Sequence, residues 1–175
     1  RSIVTKVHKN IIYEIDEKPA LEFYRYYFDD FAPDVAYPLA IFPPGEETFF
    51  LRGALSYDPD IGSLTVAADV PKRSIIQITD ATKDSIKAAS KTAFDDAWET
   101  YPGTEPAAAL FFSCAWRRFV LGTQTNQEYA AIANALQHPI PSCGFYTYGE
   151  IAPLREKGPT FFHNTTFATL LLGNK

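Results

Sequence analysis

Three stretches in the last third of the chain concentrate the residue types that do chemistry: Ser113-Cys114-Ala-Trp-Arg117-Arg118, Gly144-Phe-Tyr146-Thr-Tyr148-Gly149-Glu150 and Phe162-His163-Asn164-Thr165-Thr166. Cys114 closes the most apolar run of the chain, and two arginines follow almost at once. A thiol beside a cation or a helix N-terminus can have a lowered pKa and act as nucleophile or redox sensor. A buried free cysteine is otherwise a small hydrophobe. Arg117, adjoining buried sequence, needs a carboxylate or carbonyl partner. Glu150, another internal structural partner or a ligand carboxylate would each satisfy it.

On a pleated strand Tyr146, Tyr148 and Glu150 share one face, while Phe145, Thr147 and Gly149 share the other. Two phenols and a carboxylate make a wall for a small polar ligand; alternatively the tyrosines only cover the sheet, hydroxyls in water. Asn164 and Thr166 project to one side of the next strand, His163 and Thr165 to the other. A Cys114–His163–Glu150 triad can be written, but order in sequence says nothing of proximity. A Cys114/Cys143/His163 metal site lacks the local spacing of zinc motifs.

Other chemistries have no starting point. The chain carries no Gly-x-x-x-x-Gly-Lys, no Gly-x-Gly-x-x-Gly after a strand, no Gly-x-Ser-x-Gly and no His-Glu-x-x-His. No cofactor or metal is therefore expected. With 16 Lys+Arg against 21 Asp+Glu the net charge is -5, which offers no general basic field for phosphate backbones, and nucleic acid is not an expected partner. Two cysteines are too few for a secreted disulfide framework, and no apolar run reaches the roughly 18–20 residues of a membrane span. No secretory signal opens the chain, so a cytoplasmic location is expected. The 175 residues begin at Arg1 and include no Met, which reads as a fragment of something longer.

The elements that must position these groups follow from periodicity and punctuation. Asn10–Asp16 is a β-branched strand, and Pro19 suits the first turn of an amphipathic helix over Ala20–Phe28. Tyr37–Phe42 is a strand, and Thr48–Tyr57 and Ser63–Val70 form a hairpin across Asp58-Pro-Asp-Ile-Gly62. Ser74–Thr79 is a further strand. A helix then runs to about Thr100, burying a stripe of Ile86, Ala89, Ala93, Ala97 and Trp98. Ala107–Cys114 reads as a strand covered on both faces. Thr125-Asn-Gln-Glu128 is a capping box for a helix with Tyr129, Ile132 and Leu136 on one side, ended by His138-Pro139. Ser142–Tyr148 and Phe161–Leu172 are the last strands, joined by a loop over Gly149–Thr160. The strands of residues 37–79 lack intervening helices, so the fold class is α+β. About eight strands in a largely antiparallel or mixed sheet carry three or four packed helices, with residues 1–9 as an extension and 10–175 as one domain.

In this order, Cys114-Ala-Trp-Arg117, Gly144-Phe-Tyr-Thr-Tyr-Gly-Glu150-Ile-Ala-Pro153 and Phe162-His-Asn-Thr-Thr166 resemble the C-terminal part of the FIST sensory domain, the FIST C domain. Glu17-Lys-Pro19-Ala-Leu21-Glu-Phe-Tyr24, Leu51-Arg52-Gly-Ala-Leu55 and Leu121-Gly122 match the family as well, so the resemblance spans roughly residues 10–172. It implies a bacterial or archaeal signal-input module of cytoplasmic proteins, sited beside histidine kinase, cyclase or chemoreceptor parts and binding small ligands such as amino acids. Relatives also occur beside F-box segments. Trp116 stands where a smaller residue is expected, and the family's N-terminal partner domain is absent.

The leading expectation is a non-catalytic domain sensing a small polar ligand, plausibly an amino acid. Arg117 would hold its carboxylate and Glu150 its amino group, with Tyr146, Tyr148, His163, Asn164, Cys114 and Thr166 completing the site. Expected partners are the N-terminal FIST domain and a signalling output domain or partner protein, with no membrane insertion. The rivals are an interaction module packing on the missing domain, suggested by 14 Phe and 10 Tyr, and a cysteine-dependent enzyme built on Cys114.

Overall fold

The structure, a computed structural model, describes residues 1–29, 33, 34, 36–134, 136, 139–154 and 157–174. The chain divides into two compact units, Arg1–Asp80 and Ala81–Lys175, where one domain was expected.

The first unit is an antiparallel sheet with a single helix. Its strands are β1 (Ser2–His8), β2 (Ile11–Ile15), β3 (Lys18–Pro19), β4 (Leu39–Phe42), β5 (Phe50–Arg52), β6 (Ala54–Asp58), β7 (Ser63–Val66) and β8 (Ile75–Ile78). They run in the order β5-β4-β8-β1-β2-β7-β6, with β3 on β2. Residues 1–9, expected as an extension, instead supply β1, an interior strand paired with both β2 and β8.

The β6–β7 hairpin forms as the turn residues dictate. Asp58 Oδ1 accepts the amides of Asp60 at 2.9 Å and Ile61 at 3.3 Å, and Gly62 closes the loop at φ +68°. A Cβ there would lie 2.6 Å from Pro19 Cβ. Helix α1 (Ala20–Phe28) occupies the span expected and buries Ala20, Leu21 and Tyr24 against Val4, Ile12, Leu64 and Val66. Arg52 of the Leu51–Leu55 motif is a buried structural cation: it donates to the carbonyls of Leu51 and Asp69 and lies 4.1 Å from the Phe50 ring centre. Burial pushes its guanidinium down to about 10.

The second unit holds the three polar stretches. Helix α2 (Lys83–Glu99) begins at a reciprocal cap: Thr82 Oγ1 accepts the Ser85 amide and Ser85 Oγ accepts the Thr82 amide. Its buried stripe is Ile86, Ser90 and Phe94, with Trp98 packed on the core, and not the expected alanines; Ala89 is exposed. Strand β9 (Ala108–Cys114) leads directly into α3 (Ala115–Leu121), a 3-10 turn (Gly122–Gln124) and α4 (Thr125–Ala133). The helix end expected at His138 lies outside the described residues.

Strand β10 (Ser142–Thr147) then pairs parallel to β9, and β13 (Phe167–Leu172) pairs antiparallel on the other side, giving the order β10-β9-β13. Between them β11 (Glu150–Pro153) and β12 (Thr160–His163) form a separate two-stranded hairpin. The α+β class therefore holds, with the strands distributed over three sheets. Two strands expected as continuous are split, Thr48–Tyr57 at Gly53 into β5 and β6 and Phe161–Leu172 at Asn164–Thr166 into β12 and β13, and the loop expected over Gly149–Thr160 holds β11.

Register assigns the faces of the three-stranded sheet. Phe111 and Ser113 of β9, Gly144 and Tyr146 of β10 and Phe167 of β13 stand opposite one another on one face. This is the face that joins Phe94 and Ile132 of α2 and α4 in the core. Leu110, Phe112, Phe145, Leu170 and Leu172 stand on the other. β9 is thus buried at alternate positions, through Ala109, Phe111 and Ser113, and not on both faces.

Candidate functional site

On its helix-side face, the second unit carries a buried charge network under a cleft. Arg117, on the first turns of α3, is 5% exposed, and Glu128 of α4 is 3% exposed. Arg117 Nε donates to Glu128 Oε1 at 2.8 Å and Nη2 lies 2.7 Å from the same oxygen. Nη2 also donates to the Ile86 carbonyl at 2.8 Å and to Ser90 Oγ at 2.6 Å. Ser90 Oγ lies 3.0 Å from Glu128 Oε1, Ser113 Oγ 3.0 Å from Oε2, and the Tyr146 hydroxyl donates to Oε2 at 3.2 Å. The guanidinium lies 5.5 Å from the Phe167 ring centre. Two charges removed from water in this way persist only with such dense hydrogen bonding. Burial, then the Glu128 charge, pushes the Tyr146 phenol up to about 12, so it remains a neutral donor.

Above the carboxylate lies a cleft of about 320 Å³ between α4 and β10. Phe111, Tyr129, Tyr146 and Phe167 give it aromatic walls, and Ser113, Thr125 and Ser142 give it hydroxyls. The Tyr129 hydroxyl and Ser142 Oγ lie 2.9 Å apart. Gly144 forms part of the wall because a Cβ there would sit 2.4 Å from the Phe111 carbonyl oxygen. The volume falls at the lower end of the range of small-molecule sites, roughly 300–1,000 Å³.

Several expected roles change. Arg117 and Tyr146 converge on the two oxygens of Glu128, and it is Glu128, not Glu150 or an open ligand position, that partners Arg117. Glu128, read as the last residue of a capping box, caps nothing: the residue before α4 is Gln124, without a side-chain cap, and the Glu128 carboxylate turns inward. Sequence reasoning missed Glu128 and Ser90. The signal available was a four-residue spacing, Ile86-Ser90-Phe94, which places a serine in a buried stripe.

Tyr148 follows the end of β10 and is 88% exposed, so it is no part of the wall with Tyr146. Gly149 beside it admits the Phe162 ring, 2.4 Å from where a Cβ would stand. Glu150, Thr166, Cys114, His163 and Asn164 gather separately, where β11 and β12 meet the end of β9. Glu150 is 3% exposed and accepts from Thr147 Oγ1 at 2.5 Å and Thr166 Oγ1 at 2.7 Å. Burial pushes its carboxyl above the usual range, against the pull of those two hydroxyls. Cys114 is fully buried, and that burial raises its thiol although the Trp116 and Thr165 amides pull the other way. His163 Nε2 lies 2.9 Å from the Ala152 carbonyl. Both polar atoms of the Asn164 side chain, a residue 1% exposed, lack a hydrogen-bond partner among the described residues. Among the described residues no group of three or more His, Cys, Asp or Glu could hold a metal. None of their helices is long and apolar enough to cross a membrane.

The FIST C domain model matches residues 20–153, and the chain belongs to that family, a signal-transduction family of sensory type. The chain is 27% identical over 166 residues to the uncharacterized protein Rv0628c of Mycobacterium tuberculosis, covering 87% of this chain and 42% of that protein. The uncharacterized protein Mb0898c of Mycobacterium bovis is 28% identical over 165 residues, with the same coverage of each. The chain thus spans about two-fifths of the length of these relatives. No solved structure matches it significantly.

Proposed function

We propose that the chain is a non-catalytic, small-ligand-sensing input domain of a cytoplasmic signalling protein, with the cleft between α4 and β10 as its ligand site. The observation that carries this reading is the cleft itself, an aromatic hollow of about 320 Å³ whose floor is a buried, fully bonded carboxylate. A sealed ion pair is a poor nucleophile or proton shuttle but a rigid floor, and rigidity favours recognition. Arg117, expected to hold a ligand carboxylate, is bonded to Glu128 instead, so the carboxylate of an amino acid would have to be held by other groups. The test is a small-molecule library screened by amide NMR. Compounds that bind are expected to perturb Ser142–Tyr146 and the start of α4. Shifts confined to other parts of the chain, or none from any compound, would overturn the reading.

A second reading is an interaction module packing on an N-terminal FIST domain. It is favoured by the apolar outer face of the β10-β9-β13 sheet, where Phe145 is 65%, Leu170 48% and Leu172 43% exposed, and by relatives more than twice as long as this chain. Light scattering and binding of a dye for apolar surfaces test it. A strictly monomeric chain that takes up no dye would count against it.

A further inference from the structure

The donor and acceptor pattern of the cleft floor defines a class of ligand, on the premise that the cleft is the ligand site. Glu128 accepts from Arg117, Ser90, Ser113 and Tyr146, and a carboxylate has no proton to donate. The Tyr146 hydroxyl has a single proton, directed at Glu128 Oε2, and so does Ser113 Oγ, which lies within 3.2 Å of both carboxylate oxygens. Their protons committed downward, these two oxygens offer only lone pairs upward. At the rim, the Tyr129–Ser142 hydroxyl pair uses one proton between its members. No Lys, Arg or His is among the described residues lining the cleft, and four aromatic side chains, Phe111, Tyr129, Tyr146 and Phe167, stand around it, rings of the kind that attract cations. The floor is suited to a hydrogen-bond donor, while the one hydroxyl proton the rim pair leaves over and the Arg118 guanidinium, 5.8 Å from the Tyr146 ring centre, lie at its edge.

We infer that the cleft takes a protonated organic amine with an apolar body, its ammonium directed at Tyr146 Oη and Ser113 Oγ above the Glu128 carboxylate and its body lying among the rings. A carboxylate or phosphate placed on the floor would meet the lone pairs of Tyr146 Oη and Ser113 Oγ, whose protons face Glu128. This reverses the expectation that an arginine waits for a ligand carboxylate.

The experiment uses matched probes on the whole chain: phenethylamine and phenylalanine, then tyramine and tyrosine, which differ only by a carboxylate, with phenylacetate as the anion without an amine. Dissociation constants come from calorimetry, and sites from amide NMR. Each amine is expected to bind at least tenfold more tightly than its amino acid and to shift Ser142–Tyr146, with no shift from phenylacetate. Tyr146→Phe, which removes one acceptor and keeps the ring, is expected to weaken the amines at least fivefold. The inference is overturned if the amino acids or phenylacetate bind the cleft as tightly as the amines. It is overturned as well if Tyr146→Phe leaves the amines unaffected, or if neither amine shifts cleft residues while other library compounds do. If nothing of any charge shifts them, the cleft itself is not a ligand site, and both readings fall together.

Discussion

Removing Glu128 should be among the most damaging single substitutions in the second unit. Glu128→Gln keeps the shape but leaves the Arg117 guanidinium, 5% exposed, without a counter-charge. It also forces the new amide N–H to face donors, since Arg117, Ser90, Ser113 and Tyr146 surround the carboxylate. Breaking one half of a buried ion pair costs about 3–5 kcal/mol. Against a typical total of about 5–15 kcal/mol, that is a large fraction of what holds a unit folded. With a urea slope of about 2 kcal/mol/M, the midpoint should fall by about 2 M.

Both tryptophans, Trp98 and Trp116, lie in Ala81–Lys175, so their fluorescence follows this unit alone. The control is Lys91→Ala, which removes the half-exposed Lys91–Asp95 pair and should cost about 0–1 kcal/mol. Replacing both partners, Arg117→Met with Glu128→Leu, should recover much of the loss, because the penalty lies in the orphaned charge and not in the absence of the pair. If Glu128→Gln shifts the midpoint no more than Lys91→Ala does, the reasoning fails.

Four further outcomes are expected. Gly144→Ala, which drives a Cβ to 2.4 Å from the Phe111 carbonyl oxygen, should destabilise the unit by about 1–3 kcal/mol in the same assay; a neutral effect would mean that β10 can move off β9. Glu150 has its carboxyl raised in the folded state by burial, so the folded chain holds this proton to higher pH than the unfolded chain. Its contribution to stability is full below the ordinary glutamate value of about 4.3 and is lost as pH rises through the raised one. Glu150→Gln should therefore flatten that decline, and an unchanged pH profile would exclude the effect. Asn164→Leu should be neutral or stabilising, because a buried amide without partners costs about 1–3 kcal/mol; a clear loss of thermal stability would show that the amide is bonded. Under native conditions mass spectrometry after maleimide treatment should find Cys143 modified and Cys114 untouched until urea is added, and a Cys114 that reacts first would revive the cysteine-enzyme alternative.

The motifs that point to the FIST C family were legible in sequence, and so were most of the elements. Helix α1, the β6–β7 hairpin, β9 and α2 lie where periodicity and turn residues put them, because each is specified by neighbours a few positions apart. Boundaries failed where one residue changed the direction of the chain. Gly53 and Asn164–Thr166 break runs that read as continuous strands, since β-propensity does not register that β5 and β6 pair with different partners or that Thr165 adopts φ +60°. The candidate site was half legible. Arg117 and Tyr146 stood out as a cation and a phenol in apolar surroundings, whereas Ser90 and Glu128 resembled ordinary helix-surface residues.

By itself, the sequence determined which short segments would be helix or strand, that Arg117 would need an acceptor, and that no phosphate loop or zinc motif was present. Only the tertiary structure decided which acid answered Arg117. Glu128 and Glu150 are both glutamates on the C-terminal side of it, and nothing local separates them. The choice follows from α4 packing on α2, which brings Ser90 and Glu128 to the guanidinium, while the bend at Gly149 carries Glu150 away to Thr147 and Thr166. Pairing across space depends on how whole elements pack, and that is information no single stretch of chain contains.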